Sequence, residues 1–281
     1  MKGIIEAFLR APQRVAQANW QGQVIWLKKF MPKGRFGFVT LRDLIARSNR
    51  NPLYFSTEAR GPEQISGEIK RLRLLRSRGV HVPEVLAHGE QWLVMSDHGA
   101  SLRALIEDTT LSEHQRLRLL QDAASALAQL HKRGMWHGRP ALRDLTWDGE
   151  QIGFVDFEED VGKKLSIEQC QVRDVLVLLH NITRYSTFST WSTEQVVRYC
   201  EQAYKREAPE AIWQQAVRVV NSMWLLYFLL WLTQPVSGKD GRAALRMLRF
   251  MTSQRRRILR RALFYLTLVG QLLLLNRLLD I

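Results

Sequence analysis

The chain has 281 residues, of which 46% are hydrophobic and 24% are charged. These proportions are ordinary for a folded globular protein and exclude a long disordered chain, and the length allows one large domain or two lobes that share a cleft. The 41 Lys and Arg residues outnumber the 27 Asp and Glu residues and give a net charge of +14, which favours an anionic partner: nucleic acid, a phosphorylated ligand or an acidic membrane.

The sequence predicts a cytoplasmic protein. Its two cysteines, Cys170 and Cys200, have neither metal-ligand spacing nor the pattern of a disulfide framework, so a reducing compartment is expected. The N-terminus, MKGIIEAFLRAPQRVAQ, soon turns basic and polar and lacks the longer apolar region and small-residue cleavage site of a signal peptide.

The N-terminal half is predicted to contain a helix among short strands. GQVIWLKKF, at residues 22–30, has the β-branched and aromatic residues of a strand. A helix is expected next, because four apolar residues recur at helical spacing before Gly79 ends the pattern: Ile65, Ile69, Leu72 and Leu75. VHVPEVLAHGEQWLVMSD then predicts two short strands with a turn near Gly89.

The C-terminal half is predicted to be mainly helical. SEHQRLRLLQDAASALAQLHKRG indicates a long helix capped by Ser112, QIGFVDF indicates a strand, and helices are expected from about Ile167 onwards. This order predicts an α+β fold with two lobes: a small sheet-rich N-lobe at residues 1–98 and a larger helical C-lobe at residues 99–281. A hinge is expected near Met95–Ala100.

The last sixty residues have an unusual distribution of apolar and basic side chains. SMWLLYFLLWL, at 222–232, is too short to span a bilayer, which needs ~20 residues. Five arginines, within Arg255–Arg261, then precede a second apolar stretch at 262–279. Three interpretations stay open: core helices of the larger lobe, an interfacial element with arginines on lipid phosphates, or a membrane span at 262–279 interrupted by Gln271 and Asn276.

Several charged residues occupy positions that suit phosphoryl transfer, which needs a lysine on the phosphates, a glutamate to hold it and oxygen ligands for Mg²⁺. Lys28, with Lys29 as the alternate, ends the apolar strand, and Glu68 borders the apolar helix face. Asp156 follows a buried strand, where a carboxylate is costly without a metal or hydrogen-bond partners. Taken singly, each has a structural alternative: an exposed lysine, a solvated glutamate or a turn-capping aspartate. His137 can equally be a structural histidine.

The spacing of these residues carries a family resemblance. Asp156 follows His137 by 19 residues and Asp144 by 12, which suits a catalytic loop, a short hairpin and a metal-binding aspartate. Between about Gln23 and Asp160 the sequence resembles the protein-kinase-like superfamily, and within it the bacterial lipopolysaccharide kinases that phosphorylate Kdo and heptose. The resemblance is carried by VIWLKKF, GEIKRLRLLRSRGVHVPEVLAHG, LVMSDHG and LAQLHKRGMWHG…FVDFE.

The resemblance implies an enzyme that uses ATP and Mg²⁺. It implies these roles: Lys28 on the nucleotide phosphates, Glu68 paired with Lys28, Met95 and Asp97 in a nucleotide-binding hinge, His137 bracing the catalytic loop, Asp144 in place of the metal-binding Asn, and Asp156 as the principal magnesium ligand. The sequence departs from the family at Arg139, which stands where the family has its catalytic Asp. It also has no evident Gly-rich phosphate loop before Gln23.

Arg139 leaves two functions open. Losing a general base slows catalysis by ~10²–10⁴-fold without necessarily abolishing it, and an arginine can hold a phosphate of the acceptor. A second register, RDLTWD, would make Asp144 the base. Asp144, Arg139 and His137 are therefore the candidate catalytic residues.

The first expected function is phosphorylation of a sugar hydroxyl of a cell-envelope glycolipid at the cytoplasmic membrane face, with peripheral membrane contact through Arg255–Arg261 and the apolar segments. The alternative is a pseudokinase that serves as a binding or scaffold module. A kinase that acts on a protein, or on another small molecule such as an aminoglycoside, also stays open. Nucleic acid is not expected as a partner, because the basic residues adjoin Leu-rich runs rather than alternating with exposed aromatics.

Overall fold

The computed structural model describes residues 1–30, 63–157, 161–188, 190–234 and 236–252. The helices are α1 Lys2–Arg10, α2 Glu63–Ser77, α3 Leu102–Glu107, α4 Glu113–Lys132, α5 Ile167–Tyr185, α6 Thr193–Glu207, α7 Glu210–Ser222, α8 Trp224–Leu232 and α9 Lys239–Met251. The strands are β1 Val15–Trp20, β2 Gln23–Lys29, β3 Val85–His88, β4 Trp92–Ser96, β5 Ala100–Ser101, β6 Leu145–Trp147 and β7 Ile152–Phe154. Short 3₁₀ helices occur at Leu142–Asp144, Val161–Lys163 and Ser186–Phe188.

An antiparallel sheet with the order β1-β2-β4-β3 forms the smaller part of the fold. The predicted strand at 22–30 is confirmed as β2. Strand β1 was not predicted, because the inward side chains of VAQANW are small or only half-buried and give no clear alternation of apolar and polar residues. Gln21 and Gly22 join β1 to β2 with φ angles of 54° and 79°, as in the type I′ turns that link twisted strands.

Helix α2 packs beside this sheet and confirms the predicted apolar stripe. All four residues expected on its inner face are buried: Ile65, Ile69, Leu72 and Leu75. Gly79 ends the helix as predicted, with a φ of 70° that glycine adopts without steric cost, and the Val80 N–H then donates to the Leu75 carbonyl at 3.0 Å.

The larger part of the fold is a helical bundle built around α4 and α5. The predicted cap of α4 is confirmed: the Ser112 hydroxyl accepts from the Gln115 N–H at 3.2 Å, and the Gln115 side chain accepts from the Ser112 N–H at 2.9 Å. Such reciprocal capping satisfies two backbone donors that a helix start otherwise leaves unpaired.

Taken together, the small antiparallel sheet and the larger helical bundle confirm the predicted α+β, two-lobed, kinase-like fold, while the division at residue 98 stays a prediction.

A second small sheet, β5-β6-β7, lies where the two parts meet. The strand expected from QIGFVDF is confirmed as β7, whereas the short β5 and β6 were not predicted. Gly99, in the hinge before β5, has a φ of 83°, and a Cβ there would lie 2.1 Å from the Trp147 carbonyl oxygen. Only glycine fits where the hinge passes this close to the hairpin.

The segment at 222–232 forms helix α8. Tyr227 is buried, whereas Leu229 and Leu232 are 48% and 59% exposed, so the helix is only partly inserted into the core. In the part of the chain that is described, no single helix is long and apolar enough to cross a membrane, although the bent pair Glu210–Ser222 and Leu226–Leu232 meets the length and composition criteria together. The predictions for Arg255–Arg261 and for 262–279 lie outside the described residues.

Candidate active site

Lys28 joins the sheet to both of its predicted partners. Its Nζ lies 2.8 Å from Glu68 Oε1 on α2 and 2.9 Å from Asp156 Oδ1 after β7. Lys28 and Glu68 are almost fully buried, so their charges depend on each other rather than on water. The strand, the helix and the loop after β7, far apart in sequence, therefore meet at one ammonium group.

Lys29, the alternate to Lys28, points to the opposite face of the sheet because successive strand residues alternate. Its Nζ donates to the carbonyls of Phe8 and Leu9 at 3.1 Å and also to the carbonyl of Ala11, at the end of α1. Lys29 is thus committed to the N-terminal helix, and Lys28 is the lysine of the cleft.

Asp156 has an unusual backbone and a strongly perturbed charge. Its φ of 66° is in the left-handed region, which non-glycine residues adopt rarely and which occurs preferentially at functional sites. Burial alone would raise the pKa of Asp156, but the charge and hydrogen bond of Lys28 and the charge of Arg139 outweigh it and lower the pKa to about 2. Asp156 is accordingly an ionised carboxylate in a strained position that its partners maintain.

His137 braces the loop that precedes β6. Its Nε2 donates to the Val155 carbonyl at 3.0 Å, and its Nδ1 accepts from the Arg139 N–H at 3.2 Å. Burial lowers the pKa of His137, so the ring is neutral, as these two hydrogen bonds require. The geometry matches the bracing role that the sequence suggested, because both ring nitrogens hydrogen-bond to the backbone.

Asp174, on α5, was missed by sequence reasoning although it organises the same loop. This fully buried carboxylate accepts from the N–H of His137 at 2.5 Å and from the N–H of Gly138 at 2.7 Å. Its neighbour Arg173 donates to the Gly138 carbonyl at 2.7 Å. The available signal was an Arg-Asp pair inside an otherwise apolar helical run, because buried charges of that kind need specific partners.

Arg139 lies between the two candidate metal ligands. Its Nη2 is 3.1 Å from Asp156 Oδ2 and 3.6 Å from Asp144 Oδ2. Burial and the nearby charge of Asp156 raise the pKa of Asp144 to about 7, against the opposing effect of Arg139 and Arg143. The structure thus brings Lys28, Glu68, Arg139, Asp144 and Asp156 together in one cleft.

The donor set of the cleft suits a divalent cation. Asp144 Oδ2 is buried and has no hydrogen-bond partner among the described residues, and it faces the same point as Asp156 Oδ2. Carboxylate oxygens are the ligands that Mg²⁺ prefers, and phosphates and water commonly complete its coordination. Within the described ranges no group of three or more His, Cys, Asp or Glu side chains is arranged to bind a metal. Asp144 and Asp156 would therefore hold the ion jointly with a bound nucleotide.

The predicted hinge residues lie at and just after the C-terminal end of β4, an interior strand of the sheet. Met95 pairs with Trp26 across β4 and β2, and the Trp26 indole N–H donates to Asp97 Oδ1 at 2.7 Å. The Asp97 N–H donates to the Val24 carbonyl at 3.2 Å, which continues the ladder into the hinge. Nucleotide binding by Met95 and Asp97 stays a prediction.

A cavity of about 740 Å³ lies apart from this cleft, between α4 and the β6–β7 hairpin. Its floor includes Leu119, Trp147 and Phe154, and its rim includes Arg118 and Arg133. None of the five charged residues of the cleft lines it. The chemistry of the protein is therefore expected in the cleft and not in this cavity.

A two-lobed α+β fold in which a strand lysine pairs with a helix glutamate and with an aspartate after a buried strand defines the class of kinase-like phosphotransferases. A family model described as the phosphotransferase enzyme family, APH, matches residues 39–236. The chain belongs to this family, whose activity implies ATP and typically Mg²⁺.

Two individual proteins illustrate how far the similarity extends. An uncharacterized protein of Haemophilus influenzae is 24% identical over 229 residues, which cover 81% of this chain and 85% of that protein. A solved MAP kinase from Leishmania major is 14% identical with a TM-score of 0.37, covering 90% of this chain and 82% of the other.

Proposed function

We propose that this phosphotransferase transfers the γ-phosphate of ATP to a sugar hydroxyl of a cell-envelope glycolipid at the cytoplasmic face of the membrane. The main observation in support of phosphoryl transfer is that Lys28 forms ion pairs with both Glu68 and Asp156. The acceptor is proposed from the resemblance to the lipopolysaccharide kinases and from the net charge of +14.

Phosphoryl transfer depends mainly on positioning and on neutralising charge around the phosphates. Lys28 would turn from Asp156 towards the nucleotide phosphates while Glu68 continues to hold it. That exchange would free the Asp156 carboxylate, already ionised, for Mg²⁺ together with Asp144. A bound Mg²⁺ would neutralise charge on the transferred phosphate.

The C-terminal region supports an amphiphilic, anionic acceptor. Leu229, Trp231 and Leu232 are exposed on α8, and the arginines of Arg255–Arg261 follow in the sequence. Exposed apolar side chains and a cluster of arginines in the sequence are each features that favour the surface of an anionic membrane. A glycolipid acceptor embedded in such a surface would be within reach of a protein that binds there.

The test is a transfer assay with radiolabelled ATP and purified core glycolipid. Lys28→Met and Asp156→Asn should each lower the rate at least a hundredfold, and asparagine is chosen at 156 because it tolerates the left-handed backbone. Lys132→Met, at a 66%-exposed lysine of α4, is the matched control and should retain the wild-type rate. Wild-type transfer by both cleft variants would refute the proposal.

A pseudokinase is the second candidate, because Arg139 replaces the family's catalytic aspartate and contacts both remaining carboxylates. Such a protein would bind ATP without transferring its phosphate. A thermal-shift titration with ATP and Mg²⁺, run beside the transfer assay, separates the candidates. Binding without turnover on any of several sugar acceptors would favour the pseudokinase.

A further inference from the structure

We propose that the Arg139 guanidinium is an intramolecular counter-cation that competes with a divalent metal for the carboxylates of Asp144 and Asp156. A single nitrogen, Nη2, lies 3.1 Å from Asp156 Oδ2 and 3.6 Å from Asp144 Oδ2. A positive charge between two carboxylates neutralises them as a metal ion would. The proposal rests on the proposed function only in taking a divalent cation as the ligand of this pair.

The backbone around Arg139 is held in place, so the position of its guanidinium is built into the loop. Its N–H donates to His137 Nδ1 at 3.2 Å, and its carbonyl accepts from the Ala141 N–H at 2.8 Å. The preceding Gly138 is fixed by Asp174. The side chain itself is 30% exposed and can leave towards solvent by changing rotamer while the loop stays in place.

Metal and guanidinium exclude each other because they need the same oxygens. Mg²⁺ binds carboxylate oxygens at ~2.0–2.1 Å, so an ion between Asp144 and Asp156 would lie almost in contact with Nη2. Two cations at that separation in a largely buried site repel strongly. The guanidinium never loses its charge in proteins, so Arg139 must move aside before a metal enters.

Charge is already balanced in the cleft without a metal. Three carboxylates, Glu68, Asp144 and Asp156, lie within ion-pair distance of three cations, Lys28, Arg139 and Arg143. A metal arriving with a nucleotide brings phosphates that can accept the displaced Lys28 and Arg139. We therefore expect the unliganded protein to bind a divalent metal weakly and the nucleotide complex to bind it well.

The test is titration of the nucleotide-free protein with Mn²⁺, followed by electron paramagnetic resonance of the free ion. Arg139→Gln, which removes the charge but keeps a polar side chain, should lower the Kd for Mn²⁺ at least tenfold. Arg139→Lys, which keeps the charge, should stay within threefold of wild type. Adding Asp144→Asn to Arg139→Gln should return the Kd to the wild-type value, because one of the two carboxylates is then lost.

Arg143→Gln is the matched control. Arg143 contacts Asp144 Oδ1 at 3.3 Å rather than the Oδ2 that Arg139 approaches, and its side chain is 55% exposed, so solvent screens its charge. Its Kd should stay within threefold of wild type. An equal gain in both glutamine variants would show a general charge effect and overturn the proposal, as would an unchanged or weaker affinity in Arg139→Gln.

Two further measurements keep the result interpretable. Arg139→Ala removes the same charge and replaces Arg139→Gln should the latter fail to fold, as judged by circular dichroism. Phosphate transfer is measured separately on the same preparations. A gain in Mn²⁺ affinity without any phosphate transfer would support the counter-cation role of Arg139 and count against the phosphotransferase function. Phosphate transfer without a gain in Mn²⁺ affinity would support the phosphotransferase function and count against the counter-cation role.

Discussion

Replacing Asp174 by asparagine should destabilise the protein by about 3–5 kcal/mol. The two carboxylate oxygens serve different backbone donors: Oδ2 accepts from His137 and Oδ1 from Gly138. Asparagine offers one oxygen and one NH₂ group, so it can satisfy only one of the two. A charge-assisted hydrogen bond of about 1.5–3 kcal/mol is lost, and a buried N–H left facing another donor costs about 1–3 kcal/mol more.

The measurement is urea unfolding at pH 7, with a thermal melt as a second readout. A loss of this size corresponds to a midpoint lower by roughly 6–20 °C in a protein of this length. Asp122→Asn is the control, because among the described residues Asp122 pairs only with the exposed Arg118 one turn away on α4. This substitution should change stability by less than about 0.5 kcal/mol. If Asp174→Asn unfolds within 1 kcal/mol of wild type, its carboxylate does not anchor the loop as described.

Three further predictions concern the core. Burial and the charge of His81 lower the pKa of His98 to about 4 from 6.5, so wild type should lose stability as the pH falls below 6.5. His98→Gln removes this dependence, and its stability relative to wild type should rise by about 2 kcal/mol from pH 7 to pH 5; parallel curves would contradict the assignment. Gly153→Ala should destabilise the protein by about 1–3 kcal/mol, because the new Cβ would lie 2.2 Å from His98 Nε2. Gly67→Ala, in open space on α2, should instead stabilise the protein by up to about 1 kcal/mol. Equal effects of the two substitutions would be inconsistent with this packing. Cys170 and Cys200 are fully buried, and burial raises the pKa of the Cys200 thiol. A thiol-reactive disulfide reagent should therefore label neither cysteine in the folded protein and both in urea. Rapid labelling of the folded protein would contradict this burial.

Much of the fold could be predicted because local patterns determine it. The spacing of apolar residues on α2 and the Ser112 cap of α4 depend on residues within a few positions of one another, and both were confirmed. Lys28, Glu68 and Asp156 were candidates from their places at the end or edge of apolar elements, and the spacing of the catalytic-loop motif with its family resemblance singled them out together. Strand β1 was missed because its sequence pattern is weak and its pairing with β2 provides most of its definition.

Contacts between residues that are far apart in the sequence could not be predicted from the sequence alone. Nothing near Asp174 in the sequence reveals that it holds the backbone of His137 and Gly138, because that contact joins residues 37 and 36 positions apart. Likewise, Arg139 was noticed as a departure from the family pattern, but its contact with both carboxylates depends on how the loop and the β6–β7 hairpin fold together. The choice between Lys28 and Lys29 also required the register of β2.

The two consecutive lysines of β2 give the N-terminal helix an influence on the opposite side of the sheet. Lys29 neutralises the carbonyl end of α1 while Lys28, one peptide bond earlier, carries the ammonium of the cleft. If a truncation, a fusion tag or a binding partner pulled α1 away, the ammonium of Lys29 would remain beside apolar side chains and would have to rotate towards water. Because Lys28 is the preceding residue of the same strand, we expect loss of α1 to loosen the contact between Lys28 and Glu68 as well, which would couple the N-terminal helix to the charged cleft.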